Sequence, residues 1–251
     1  MATTSRQSID ESEIARFSET AALWWDTEGP YRPLHRLNPA RLDYIRAALL
    51  RHFNADPAAL RPLEGLRALD VGCGGGLIAE PLARMGATVT GLDAGADSIG
   101  VARAHAAEAG LDIDYRADAV EDLANAGARF DVVLALEVVE HVADIPGFLA
   151  ACRAVTADRG VFLVSTLNRT ARSFALGIVA AEYVLGWVPR GTHDWRKFVT
   201  PAEMTAHLAA AGFDLRDTAG LSYDPLRDRW SVSRDSAVNY IGMAVPRASA
   251  P

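Results

Sequence analysis

With 251 residues, half of them apolar, and a formal net charge of −7, the chain can bury the core of one large domain but has the wrong sign for a nucleic-acid surface. Its two cysteines, Cys73 and Cys152, stand far apart with no CxxC spacing, which excludes a disulfide framework and a zinc site. The polar opening "MATTSRQSIDESEIARF" lacks the apolar stretch of a signal peptide, and no window reaches the roughly 18–20 uninterrupted apolar residues of a spanning helix, so the chain reads as reduced and intracellular.

Residues 1–64 read as a helical cap, punctuated at "TEGPYRP" and "FNADPAALRP". A second unit, 65–248, then alternates short β-branched runs with Ala-rich helical stretches. The runs are "RALDV", "TVTGLD", "DIDYR", "FDVVLAL" and "GVFLVSTL"; the helices between them include 77–85, 96–109 and 146–157. After residue 167 the alternation breaks, and 166–199 reads as an insertion. A helix near 201–211 follows, then "FDLRDTAGL" and "NYIGMAVP" as late strands, the last an antiparallel partner. This pattern predicts an α/β fold: a mostly parallel seven-stranded sheet with helices on both faces.

The chemistry begins at "LDVGCGGG" (69–76), which follows a buried strand and opens a helix. Gly72 and Gly74 let the backbone turn sharply and approach a ligand at the carboxyl end of the first strand. Leu77 occupies the place of the third glycine in the dinucleotide pattern G-x-G-x-x-G, which counts against a nicotinamide-dependent oxidoreductase. Asp70, two residues before the loop, suits a ligand carrying an ammonium group. Asp93, closing the second strand, is placed to accept from ribose hydroxyls, and Asp118, after the third, to meet an adenine amine. Three acids at successive strand ends make a nucleoside pocket the better reading than solvated loop carboxylates.

"LDVGCGGG", "GLD" and "FDVVLALEVVEHV" resemble the motifs of class I S-adenosylmethionine-dependent methyltransferases, with their Rossmann-like fold. Two further stretches, "LWWDTEGPYRPLHRLNPARLDYI" (23–45) and "STLNRTARSFALGIVAAEYVLGWVPRGTHDWRKFV" (165–199), resemble the ubiquinone-biosynthesis O-methyltransferases, and the similarity runs from about residue 9 to 246. The resemblance implies S-adenosylmethionine as methyl donor and a polyprenylated catechol or demethylubiquinol as acceptor. It implies donor contacts at Arg41, Gly72, Asp93 and Leu136, and magnesium dependence through "EVVEH". Trp24 and Trp25 then read either as core aromatics of the cap or as walls of the donor or acceptor site.

Glu137, Glu140 and His141 carry the reaction question. If they begin a helix after strand four, positions i, i+3 and i+4 share one face, where two carboxylates and an imidazole can ligate a divalent ion. Direct proton abstraction without metal, and a purely structural role, stay open beside that reading. His193 in "GTHDW" is a second candidate base, although a loop histidine is more often a bystander, and His35 in "PLHRLNP" reads the same way. The apolar stretch 171–188, with Arg169 and Arg172 before it and Arg190, Arg196 and Lys197 after it, reads as an interfacial helix attracted to anionic lipid or as a buried wall of the acceptor pocket. The expected setting is cytoplasmic, peripheral at the inner face of the membrane, with a ubiquinone-biosynthesis complex as a further partner. A donor-binding, non-catalytic scaffold at a lipid surface is the competing reading.

Overall fold

The computed structural model describes residues 8–176 and 194–248. Its centre is an eight-stranded sheet in the order β3-β2-β1-β4-β5-β8-β6-β7. The parallel part comprises β1 (Arg67–Val71), β2 (Thr88–Leu92), β3 (Ile113–Arg116), β4 (Phe130–Leu136) and β5 (Thr156–Leu167). The run "FDVVLAL" is nearly unbroken in its apolarity because β4 is covered on both faces, and Val132, Val133, Leu134 and Ala135 have no exposure at all.

The strand expected last, β8 (Asn239–Pro246), inserts antiparallel between β5 and β6 (Phe213–Asp224). An eighth strand, β7 (Arg229–Ser233), departs from the expected seven; it folds back on β6 alone. Its alternation, Trp230 and Val232 between polar residues, is only five residues long, and Val232 stays well exposed, so it gives a weak sequence signal.

Helices α3 (Ala79–Arg84), α4 (Ala96–Glu108), α5 (Val120–Asn125) and α6 (Ile145–Val155) fill the crossovers. A single turn, α7 (Ala171–Ser173), opens the insertion, and α8 (Pro201–Ala210) follows it, started by a Thr200–Glu203 capping box.

The N-terminal stretch forms α1 (Glu11–Ser18), a 3-10 turn at Ala21–Leu23 and the long α2 (Arg32–Phe53). Helix α2 buries Leu37, Ala40, Tyr44, Ile45, Ala48 and Leu49 at helical spacing, and these join one apolar cluster with β1 and β4 residues. Full burial of each large aliphatic among them contributes about 1.5–3 kcal/mol. Asn54 stops the helix in a left-handed conformation, φ 51°.

Candidate active site

All strands of the parallel part end at one rim, and the chain order reverses between β1 and β4, where open α/β sheets hold their ligands. A cavity of about 960 Å³ opens there. It is lined by Arg41, Asp70, Gly72, Gly74, Asp93, Asp118, Leu136, Glu137, Glu140 and His141, so every residue expected to serve the reaction faces one space.

The glycine loop is shaped by close neighbours. Gly72 has φ +71°, and a Cβ there would stand 2.5 Å from Val138 Cγ2; Gly74, at φ +51°, lies under the Trp24 ring. Trp24 stacks on Tyr31 with centroids 3.7 Å apart and donates its indole N–H to Ser98 Oγ at 3.2 Å. It is therefore both a core aromatic and a wall of the cavity. Trp25 stacks on His105 and donates to the Gly75 carbonyl, tying the N-terminal stretch to the loop. His35 holds the Trp24 carbonyl, a structural contact. His193 lies outside the described residues.

Asp70 is 3% exposed, and its Oδ2 has no hydrogen-bond partner. Burial, and secondarily the negative charge of Asp93, push its pKa up to about 7. A buried, unpartnered carboxylate oxygen facing a cavity is short of a cation, and an ammonium group supplies one. Asp93 accepts from the Gly74 N–H at 2.9 Å and the Gly95 N–H at 2.8 Å, so it braces the loop as well as facing the cavity. Burial raises its pKa against those two donors. Each oxygen retains a second acceptor direction for a ligand hydroxyl.

The acidic segment departs from the expected helix face. Glu137 leaves β4 with φ +56°, the left-handed region that side chains rarely adopt, and only Val139–His141 form a 3-10 turn. The three side chains are consequently sent to different partners. Glu137 Oε1 accepts from Ser165 Oγ at 2.7 Å and lies 3.0 Å from Arg41 Nη2, an ion pair whose geometry falls short of a hydrogen bond. Glu140, buried, accepts from Thr166 Oγ1 at 2.9 Å. His141 Nδ1 is 3.2 Å from Glu13 Oε2, and its ring meets Phe17 edge-on.

Among the described residues no group of three or more His, Cys, Asp or Glu side chains stands close enough to hold a metal ion. The donor chemistry itself suits a hard divalent ion: two carboxylates and an imidazole line one cavity. Burial, and then the charge of Glu137, raise the Glu140 pKa, and a dication relieves that repulsion.

Several functional residues escaped the sequence reading. Ser165 and Thr166 hold the two glutamates from the neighbouring strand, where Leu136 pairs with Ser165. Two hydroxyls closing an otherwise apolar run are the signal that could have found them. Glu13 pairs with both His141 and Lys197, bringing α1 across the cavity, and nothing local marks it. Of the cations expected to flank the insertion, Arg169 pairs with Glu203, Arg172 with Asp235 and Lys197 with Asp10 and Glu13. Residues 177–188 of the expected interfacial helix (171–188), and Arg190 after it, lie outside the described residues. No helix among the described residues is long and apolar enough to cross a membrane.

A methyltransferase-domain family model matches residues 40–218. The ubiquinone biosynthesis O-methyltransferase of Methylobacterium nodulans is 58% identical over 241 residues, covering 96% of this chain and 97% of the relative. That of Azorhizobium caulinodans is 55% identical, covering 98% and 97%. Among solved structures, the magnesium protoporphyrin IX methyltransferase of Synechocystis PCC 6803 with bound SAH superposes with a TM-score of 0.63 at 20% identity, covering 94% of this chain and all of that one. An S-adenosylmethionine-dependent methyltransferase from Clostridium acetobutylicum superposes at 0.61 and 12% identity, covering 93% and 99%. These two likenesses speak for the fold, while identity above half over nearly the full length speaks for the family. With a Rossmann-like sheet, a cavity at its switch point and relatives of that closeness, the chain belongs to the ubiquinone biosynthesis O-methyltransferases, S-adenosylmethionine-dependent enzymes of the class I fold.

Proposed function

We propose that this chain transfers the methyl group of S-adenosylmethionine to the hydroxyls of a polyprenylated catechol and of demethylubiquinol, serving both O-methylation steps. The observation that carries this reading is the single cavity in which Asp70 and Asp93 stand with Glu137, Glu140 and His141. Asp70 takes the donor's ammonium and Asp93 its ribose hydroxyls, while Arg41, Leu136 and Asp118 complete the donor wall. Sulfonium-to-oxygen transfer is an in-line displacement, so holding the acceptor oxygen against the methyl carbon is much of the catalysis. The acceptor's proton must also leave, because a phenol titrates at roughly 10.

Glu137, Glu140 and His141 are the residues that would hold a magnesium ion, on exchanging their present partners. Bound there, such an ion would supply Lewis-acid stabilisation of the acceptor's developing oxyanion. A metal-free alternative is favoured by one contact: Glu13 orients His141 through Nδ1, the arrangement of an imidazole base. Methylation of a short-chain demethylubiquinol, assayed with and without exhaustive EDTA treatment, separates the two. Loss of turnover restored by Mg²⁺ supports the metal; turnover that survives chelation overturns it and leaves the metal-free reading, which a loss of that turnover in His141→Ala then supports. Donor binding with no turnover under either condition overturns the enzymatic reading in favour of a scaffold.

The apolar insertion, with Phe174 and Leu176 both about half exposed at its start, supports a peripheral seat at the inner face of an anionic membrane. Internal pairing of Arg169, Arg172 and Lys197 leaves that seat to rest on apolar contact more than on charge.

A further inference from the structure

The lining of the cavity extends beyond the acids at the strand ends to the C-terminal part of β6 and to β7, the strand outside the expected seven. Strand β6 runs parallel to β5, since each is antiparallel to β8, so its C-terminal end reaches the rim that bears Asp70 and Glu137. Pairing of β6 with β8 stops at Gly220, and from there to Asp224 its sheet partner is β7. The β6–β7 ribbon therefore rises past the sheet edge.

On one face of the ribbon, Tyr223 lies directly opposite Trp230 with ring centroids 5.4 Å apart. Leu221, two residues before Tyr223, shares that face. These three, with Pro225 at the turn and Leu176 from the insertion, line the end of the cavity.

The ribbon is held on two sides. Asp228 pairs with Arg36 of α2 at 2.8 Å and accepts from the Tyr223 hydroxyl at 2.5 Å. The return to β8 lies directly on Gly220, where a side chain would meet the Asp235 carbonyl. That return is bound in turn to the start of the insertion, through Asn168 to the Ser236 carbonyl at 2.8 Å and Arg172 to Asp235 at 2.6 Å.

We propose that the β6–β7 ribbon is the tail-recognition element of this enzyme: Tyr223 and Trp230, backed by the buried Leu221, seat the first isoprene units of the acceptor's tail as it leaves the cavity past the ribbon. An isoprenoid chain offers no hydrogen bonds, so it is recognised only by apolar area and shape, and rigid aromatic faces on a braced ribbon provide both. The inference rests on the acceptor reading above, and acceptors that share a head but differ in tail separate the two.

Steady-state methylation by the full chain is measured with a demethylubiquinol carrying no tail and one carrying a three-isoprene tail, for the wild type, Trp230→Ala and Trp230→Phe. Trp230→Ala raises KM for the tailed acceptor about tenfold, leaving kcat and the tailless KM within about twofold, and Trp230→Phe recovers most of the loss. Equal impairment of both acceptors, or of neither, overturns the tail assignment while the activity stands. If the wild type methylates neither acceptor, the acceptor reading itself falls, and the tail assignment with it. Should the alanine variant fail to fold, a three-isoprene prenyl alcohol added to the wild type tests the same site. Competition with the tailed acceptor and none with the donor supports the ribbon site; no inhibition at all overturns it.

Discussion

The two ends of the cavity are built differently. At the proposed donor end, Asp70, Gly72, Asp93 and Leu136 all sit in or next to a strand of the parallel sheet, and their positions follow from strands buried on both faces. At the proposed acceptor end, partly exposed ion pairs join α1 to the insertion (Lys197–Glu13), the insertion to the return before β8 (Arg172–Asp235) and α2 to the β6–β7 ribbon (Arg36–Asp228). The donor end is thus part of the folding core, while the acceptor end is attached to it. Changes at the first should move stability and donor binding together; changes at the second should move acceptor kinetics alone.

Arg41→Ala is the severest test of that contrast. Its guanidinium is 5% exposed, and its removal leaves Glu137 without its ion-pair partner and the buried Asp70 without a neighbouring positive charge. Urea denaturation should show a loss of about 3–5 kcal/mol, and a double variant with Glu137→Gln should recover part of it. If Arg41→Ala weakens donor binding but not stability, the donor end is not part of the core.

Asp70→Asn comes next. Loss of a charge-assisted contact to the donor's ammonium should weaken donor affinity about 10- to 100-fold by calorimetry. The same substitution should stabilise the donor-free protein above pH 7. The folded-state pKa of about 7 exceeds the ordinary carboxylate value, so between about pH 4 and 7 the folded protein keeps a proton that the unfolded chain has lost. Stability conferred by Asp70 is therefore present at low pH and falls as pH rises through this window. Donor binding favours the ionised carboxylate, so the donor-induced rise in Tm should grow over the same range. A flat difference between pH 5 and 8 would remove Asp70 from the ammonium site.

Arg36→Ala should have the smallest effect. Its pair with Asp228 is exposed on both sides, and the expected loss is about 0–1 kcal/mol, with donor affinity unchanged. A rise in KM for a tailed acceptor without a fall in Tm would mark the ribbon as a functional rather than a stabilising attachment.

Legibility followed the same division. "RALDV", "FDVVLAL" and "NYIGMAVP" coincide with β1, β4 and β8 because a strand buried on both faces leaves an unmistakable apolar run. Strand β7 and helix α5, five and six residues long, left too little pattern to read. The residues of the acidic segment were legible, but their arrangement was not. A helix face was the reasonable expectation for E-x-x-E-H, and a left-handed Glu137 replaced it. That conformation is held from outside the segment: its N–H donates to the Ser165 carbonyl, and its carboxylate meets Arg41 from α2.

By itself, the sequence determined the fold class, the donor loop and the acids at the strand ends, because local periodicity and glycine chemistry act over a few residues. Only the tertiary structure decided what those acids face. Glu13 reaches His141 across 128 positions of chain, Arg41 crosses from α2 to Glu137, and Trp230 joins the cavity from a ribbon beyond the sheet rim. Such pairings depend on which elements pack together, and no local pattern encodes them.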